Sequence, residues 1–431
     1  MVTTDMKRKK KMRIAVIGAG SSYTPEIIEK LVELSEQLPV EKISLMDIDP
    51  VRLGIMLGFS QRYAAHRGYA AEIIGTLDRR EALIGADFVI SQFRVGGNAA
   101  RVNDEKIPME YGLIGQETTG AGGFMKALRT VPVLLDIARD VERICPDAWI
   151  VNYTNPTGIV TEAVTRYTKA RIAGLCSGGL FPGSFFGKAL GVDASSIRYD
   201  YFGLNHLNFS YNIMVNGKAV AMDAFDQAID SSNWSVDKDL MKKMHLFPSP
   251  YLQYFYHTEK KVSQLLDAKL TRGEEVQRIE KDIFAACADE TLVDKPAALA
   301  KRGGGGYSEV ALGLIDAIYN NVDKWMVVNV PNRGTVRCLP DDAVIETGCL
   351  VNSAGIRPTG FVDLPAPVWG LIAAVKNYEQ LAVEAAVTGS RDTALFALLA
   401  HPLAGDYDTI KPMLDELLEA NRAYLPQFFP G

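Results

Sequence analysis

Short apolar runs punctuate the first 176 residues, each ending at a polar or glycine-rich turn. Met12 to Ile17, Lys42 to Met46, Glu72 to Gly75, Ala86 to Gln92, Ala148 to Tyr153 and Arg171 to Cys176 have the length and β-rich content of buried strands. Between the first two, Ile27, Ile28, Leu31, Val32 and Leu34 recur at helical spacing, which predicts a helix over Glu26 to Leu38. Pro25 suits its first turn and Thr24 its N-cap. Further helices are predicted over Phe124 to Cys145, Glu309 to Tyr319, Val368 to Thr388, Asp392 to Leu399 and Thr409 to Leu425. Strands alternating with helices predict an α/β protein built on a Rossmann-like, doubly wound parallel sheet.

The first βαβ unit carries a glycine turn, Gly18-Ala19-Gly20-Ser21-Ser22-Tyr23-Thr24-Pro25, and an acid, Asp47, where its second strand ends. This is the dinucleotide-binding pattern, with Tyr23 where a third glycine is usual. Gly18 permits a tight turn, and Gly20 lets backbone N–H groups approach a pyrophosphate at the helix N-terminus. Ser21, Ser22 and Thr24 complete the expected cradle. Asp47, preferred over Asp49 for the ribose hydroxyls, favours NAD over its 2′-phosphorylated form. Ligands of such sheets bind at the carboxyl ends of strands, which makes Arg94, Asn155 and Cys176 site candidates by position alone.

Composition narrows the picture. The 431 residues are 48% hydrophobic and 23% charged, with a net charge of −6, so disordered and nucleic-acid-binding readings are excluded. No apolar run reaches about 18 residues, so no membrane span is expected. Five cysteines without close spacing argue for the reducing cytoplasm. The basic run Lys7 to Lys11 is read as part of a disordered leader over residues 1–11 rather than as a targeting signal. Domains are expected over residues 12–176, binding NAD, and 177–431, binding substrate.

Several segments carry chemistry with alternatives open. Gly115 to Gly123 is either a mobile loop or a close backbone approach to a ligand. Cys176 and His206 are the soft ligands of greatest interest, yet thirty residues apart they fit no zinc-finger spacing. Tyr251, Tyr254 and Tyr256 form either an aromatic core helix or a source of a phenolic base. Lys301-Arg302 followed by Gly303 to Gly306 is either an anion cradle or a linker.

Taken together, the glycine turn, Arg94-Val95-Gly96-Gly97, Gly115-Gln116-Glu117-Thr118-Thr119-Gly120, Asn152-Tyr153-Thr154-Asn155-Pro156-Thr157, Gly174-Leu175-Cys176, Gly203-Leu204-Asn205-His206, Arg302-Gly303-Gly304 and His401-Pro402-Leu403 resemble glycoside hydrolase family four, the NAD- and metal-dependent glycosidases that include 6-phospho-β-glucosidases. The resemblance runs through nearly the whole chain. It implies a lactate/malate dehydrogenase-like fold with a second α/β (α+β) catalytic domain. It implies a recycled NAD and a divalent cation, usually Mn²⁺, on Cys176 and His206. It implies a tyrosine base, Tyr251 with Tyr254 as the fallback, and an anionic group at sugar C6 on Arg94 and Arg302. Asn155 falls near cofactor, substrate and metal. The implied partner is a small anionic glycoside, and the implied assembly a homodimer or homotetramer. The reaction implied is C3 oxidation, C2 deprotonation, elimination, water addition and re-reduction, outside the usual two-carboxylate route.

Three departures bear on specificity. Ser177 stands where α-type relatives have Asp and β-type relatives Asn, which leans towards β-linked substrates. Gly178-Gly179 follows it in place of a common Val-Pro. Gln253 replaces an arginine, and with one positive charge fewer a sulfoquinovoside, whose sulfonate is singly charged, is the alternative to a 6-phosphoglucoside. An NAD-dependent hydroxyacid dehydrogenase and a non-enzymatic nucleotide sensor are the rival classes.

Overall fold

The computed structural model describes residues 11–303 and 305–429; the basic run up to Lys10, Gly304 and the last two residues lie outside them. Six parallel strands, β1 (Met12–Ile17), β2 (Val40–Met46), β3 (Glu72–Thr76), β4 (Phe88–Ser91), β5 (Trp149–Asn152) and β6 (Arg171–Gly174), lie in the order 3-2-1-4-5-6. That is the dinucleotide-binding order, with its crevice where β1 meets β4. Alternate residues feed two cores: Ala15, Ile17 and Val89 pack on one face, and Ile14, Val16 and Ile90 on the other. Both faces are therefore covered, which is why these strands read as continuous apolar runs.

After β6 the chain builds a second, antiparallel sheet from β7 (Ile197–Leu204), β8 (Leu207–Val215), β9 (Lys218–Ala219) and β10 (Phe247–Pro248). It then returns to the first sheet. β11 (Lys324–Pro331) joins the β6 edge antiparallel, followed by β12 (Val344–Asn352) and β13 (Gly355–Pro358), giving nine strands. The main sheet therefore crosses the division expected between residues 176 and 177. Among the described residues no helix is long and apolar enough to cross a membrane.

Two local expectations need correcting. Thr24 is not an N-cap: it lies in the helix Thr24–Glu33, Tyr23 holds the cap position, and the Thr24 hydroxyl donates to Ala19 O at 2.7 Å, closing the glycine turn from inside. The last helix ends at Ala420, because Asn421 turns inward to the Arg129 guanidinium. The glycine-rich stretch 115–123 is packed, with the helix Gly120–Ile144 starting inside it; a Cβ on Gly122 would stand 2.4 Å from Gln116 O.

Among the ion pairs that hold that helix, one is fully buried on both sides. Arg129 donates to both carboxylate oxygens of Asp104 at 2.8 and 2.6 Å, to Asn421 Oδ1 at 2.7 Å and to Val95 O at 3.3 Å. Neither charged side chain is exposed. Asp104 lies on the helix Gly97–Glu110, so the pair ties two helices, the C-terminal segment and the loop after β4. Asp104→Ala leaves the Arg129 charge buried and unpaired, with an expected loss of about 3–5 kcal/mol in urea unfolding. The apolar double change Arg129→Met with Asp104→Leu is expected to recover most of it.

Candidate active site

The glycine turn follows β1 directly. Gly18 and Ala19 donate their N–H groups to Met46 O at 2.9 and 2.8 Å. Gly18 has φ +89°, and a Cβ there would stand 2.7 Å from Phe93 Cβ, so the turn requires glycine. Gly20 N–H donates to Asp47 Oδ2 at 2.7 Å, while Asp47 Oδ1 accepts from Asp49 N–H at 3.0 Å. Asp49 instead caps the helix Pro50–His66. Ser21 Oγ accepts from Tyr23 N–H at 3.3 Å.

Tyr23, in the place of the third glycine, has a role of its own. Its ring packs edge-on against Tyr307, with centroids 5.7 Å apart, and lies under the Arg302 guanidinium at 4.8 Å. Arg302 Nη1 donates to the Tyr23 hydroxyl at 3.3 Å and its Nε to Ser22 Oγ at 3.2 Å. Glu280, on the helix Arg272–Ala288, accepts from Ser22 Oγ and Asn98 Nδ2, both at 2.8 Å, and stands 3.5 and 3.6 Å from Arg302 and Arg52. No motif marked Glu280; it sits in an amphipathic helix of charged residues and is drawn inward only by the tertiary fold.

Arg94 follows β4 and pairs with Glu117. The same carboxylate takes Lys126 Nζ at 2.9 Å and Arg101 Nη1 at 3.1 Å. Arg101 and Lys126 are almost wholly buried. Burial opposes ionisation of Glu117, but the three cations hold it well below the usual carboxylate range. Lys126 goes the other way: burial first, then Arg94, bring it down to about 7, against the pull of Glu117.

Cys176 lies two residues beyond β6, and His206 in the two-residue turn joining β7 to β8, at φ +66°. Their Sγ and Nε2 atoms stand 3.8 Å apart. Gly178 N–H reaches the Cys176 sulfur at 3.4 Å. Burial, with Glu346 second, raises the thiol to about 12; burial, with Lys126 second, lowers His206 to about 3. His206 is therefore a neutral imidazole, the form that ligates metals. Tyr251 stacks on His206, centroids 3.9 Å apart and planes within 8°. Tyr254 is farther out, 6.1 Å from the Tyr251 ring. Burial pushes both phenols up, and Arg101 opposes it in both. Asn155 lies at the β5 end, but its bonds are local, to Tyr153 O at 3.3 Å and from Thr157 Oγ1 at 3.4 Å.

The fold thus brings Cys176, His206 and Tyr251 together, sets Arg302 on Tyr23 and Arg94 on Glu117, and pairs Gly20 with Asp47. Among the described residues no cluster of three or more Cys, His, Asp or Glu side chains is arranged to hold a metal. A thiol and a neutral imidazole at 3.8 Å do suit a divalent transition metal whose remaining ligands come from a bound molecule.

Residues 13–183 match the model of family 4 glycosyl hydrolases, and residues 201–404 that of their C-terminal domain. The chain belongs to glycosyl hydrolase family 4. A probable 6-phospho-beta-glucosidase of Bacillus subtilis is 41% identical over 97% of this chain and 98% of its own length. The 6-phospho-beta-glucosidase BglT of Thermotoga maritima is 38% identical over 96% and 99%. A structure of the Thermotoga maritima enzyme with manganese, NAD+ and glucose-6-phosphate superimposes with a TM-score of 0.90, at 37% identity, over 96% of this chain and 99% of that one. A malate dehydrogenase from Plasmodium falciparum, 15% identical over 89% of this chain and 99% of its own, shares the fold with a TM-score of 0.53. The dehydrogenase-like sheet expected from the family-4 resemblance is thus found.

One pH dependence follows from this cluster. Lys126 titrates near 7 when folded and near 10.5 when unfolded, so the unfolded chain holds the extra proton between those values. Burying the charged amine costs stability in full below pH 7, and the cost is relieved as pH rises towards 10. The urea midpoint of the wild type should therefore gain on that of Lys126→Met between pH 6.5 and 9.

Proposed function

We propose that this family-4 chain hydrolyses 6-phospho-β-glucosides through reversible oxidation at sugar C3. The observation that carries this is the contact of Cys176, His206 and Tyr251 beside the buried cations gathered on Glu117. The curated relatives named 6-phospho-β-glucosidases are 36–41% identical, whereas those named for α-linked phosphoglucosides are 27–30% identical. That agrees with the β lean given by Ser177.

When bound, NAD+ on the 18–24 turn supplies a hydride acceptor and donor, and a divalent metal on Cys176 and His206 supplies a Lewis acid. Asp47 meets the ribose hydroxyls. Arg94 and Arg302 hold the C6 phosphate, where a guanidinium fork matches its oxygens. Once C3 is a ketone the C2 proton is acidic, and Tyr251 takes it. Its stacking on His206 sets the phenol beside the metal pair, which favours it over Tyr254. Arg101 and a nearby divalent cation both act to bring the Tyr251 phenol down. The aglycone leaves C1, water adds to the alkene, and the hydride returns to C3. Asn155 orients substrate at the β5 end. The reducing cytoplasm suits a free Cys176. Exposed Trp369 and Phe396, on the helices Ala366–Thr388 and Arg391–Ala400, support assembly as a homodimer or homotetramer.

Turnover of a 6-phospho-β-glucoside in heavy water with NAD+ and Mn²⁺ is expected to place deuterium at C2 of the product without accumulation of NADH. Product lacking that deuterium would exclude the elimination route, and steady NADH formation would point to a dehydrogenase. Brisk turnover of a sulfoquinovoside with none of the phosphosugar would move the assignment to the sulfonate, the substrate that Gln253 raises. Tyr251→Phe should lower kcat by about 10²–10⁴, leaving NAD+ affinity unchanged, and Tyr254→Phe by much less. Cys176→Ser should weaken Mn²⁺ binding in calorimetry without touching NAD+ binding.

A further inference from the structure

Glu346 takes no part in the steps above, yet it is a fully enclosed carboxylate close to the thiol and imidazole. It is the third residue of β12 and is 1% exposed. Its Oε1 accepts from Asn205 Nδ2 at 3.1 Å and Asn329 Nδ2 at 3.0 Å. Its Oε2 accepts from Asn208 Nδ2 at 2.7 Å and the Tyr201 hydroxyl at 3.2 Å. Four neutral donors surround it, and none of these partners is a cation.

Those donors lead to both ligand-bearing segments. Asn205 directly precedes His206 in the hairpin turn, and its amide acts to lower the Cys176 thiol against the rise that burial causes. Asn208 is on β8, just past the turn, and donates to Leu204 O at 3.2 Å as well. Asn329 Nδ2 reaches Gly174 O at 3.2 Å, two residues before Cys176. One carboxylate on the main sheet therefore fixes the end of β6 and the β7–β8 turn relative to each other. It also stands close enough to raise the Cys176 thiol, and burial, opposed by its four donors, brings its own carboxyl up to about 7, so a cation held beside it favours its ionised form. A divalent cation on a single thiolate keeps one unit of positive charge; a second buried anion removes it.

We propose that Glu346 is a positioning residue for the Cys176–His206 pair: it sets their spacing through Asn205 and Asn329 and supplies the balancing charge for a divalent cation. This rests on the reading of Cys176 and His206 as metal ligands. A carboxylate that merely joined two sheets would affect folding but not the electronic environment of the thiolate. The two roles therefore separate in a spectroscopic measurement.

Glu346→Gln keeps the shape, removes the charge and turns an amide donor on amide donors. Metal-free protein is titrated with Mn²⁺ by calorimetry and with Co²⁺ by its thiolate charge-transfer absorption, with NAD+ binding measured alongside. The expected result is an Mn²⁺ affinity lower by about ten- to a hundredfold, a displaced or weakened Co²⁺–thiolate band, and unchanged NAD+ affinity. Asn205→Ala leaves Glu346 in place and should shift both metal readouts in the same direction, with the double variant no worse than the more affected single one. If Glu346→Gln does not fold, Asn205→Ala decides. Wild-type Mn²⁺ affinity and an unaltered Co²⁺ band in the folded variants would overturn the inference. A wild-type protein with no Cys176-dependent Co²⁺ band would instead overturn the ligand assignment, and this inference with it.

Discussion

Glu117 is the constraint around which the substrate side of the molecule is arranged. One carboxylate cannot neutralise three cations, and Arg94, Arg101 and Lys126 reach it from the β4 loop, the helix Gly97–Glu110 and the helix Gly120–Ile144. Buried charge of one sign is tolerated only where something compensates it. Within the chain the compensation has two further sources: Glu105 takes Arg101 at 2.7 Å, and Lys126 can shed its proton near neutral pH. While Lys126 keeps its proton, the three cations exceed these two carboxylates by one charge. Burial keeps His206 neutral with Lys126 adding to it, and Arg101 resists the rise of the two phenols. The cations gathered on Glu117 thus also act on the imidazole and on the two phenols proposed for the chemistry.

Glu280 imposes the opposite balance on the cofactor side. It meets two arginines and two neutral donors, so its charge is matched or exceeded by its surroundings. Its helix belongs to the C-terminal half, whereas Ser22 belongs to the glycine turn. The turn expected to receive a dinucleotide and the arginine expected to hold a C6 anion therefore share one carboxylate. That explains why Tyr23 replaces glycine: the ring carries Arg302, which a third glycine could not do.

Much of this was legible along the chain, for physical reasons. Strands buried on both faces leave uninterrupted apolar runs, and the crossover rule puts their carboxyl ends at the crevice, so Arg94, Asn155 and Cys176 were readable from position. His206 stood out beside Cys176 as a soft ligand next to a predicted strand, but its ligand role came only with the motif resemblance, because a hairpin turn thirty residues on reaches Cys176 only through the tertiary fold. Glu346 was invisible for a sharper reason. A lone acid between Ile345 and Thr347 reads as the outward residue of a half-exposed strand, yet the residues from Val344 to Cys349 are all buried. A charged residue inside a strand that is otherwise apolar on both faces is the signal to look for. Thr24 failed in the other direction: its side chain closes the turn behind it instead of capping the helix ahead.

The returning strands explain how a dehydrogenase-like sheet can carry glycoside chemistry. A hydride acceptor on the 18–24 turn needs only β1, β2 and β4. Removing the C2 proton needs a base and a Lewis acid held at a fixed distance from that acceptor; of the residues proposed for these, His206 and Tyr251 come from the added antiparallel sheet and the segment after it, and Cys176 from the end of β6. An added hairpin joined only through its own turn would leave that distance to chance. β11 and β12 cross back into the main sheet, and Asn329 and Glu346 on them bond the hairpin and the end of β6 together. The register of the second sheet is thereby fixed to the first by buried hydrogen bonds, which have a single satisfactory arrangement where apolar contacts have many. Polar burial in the middle of the molecule thus joins the hydride step to the proton step.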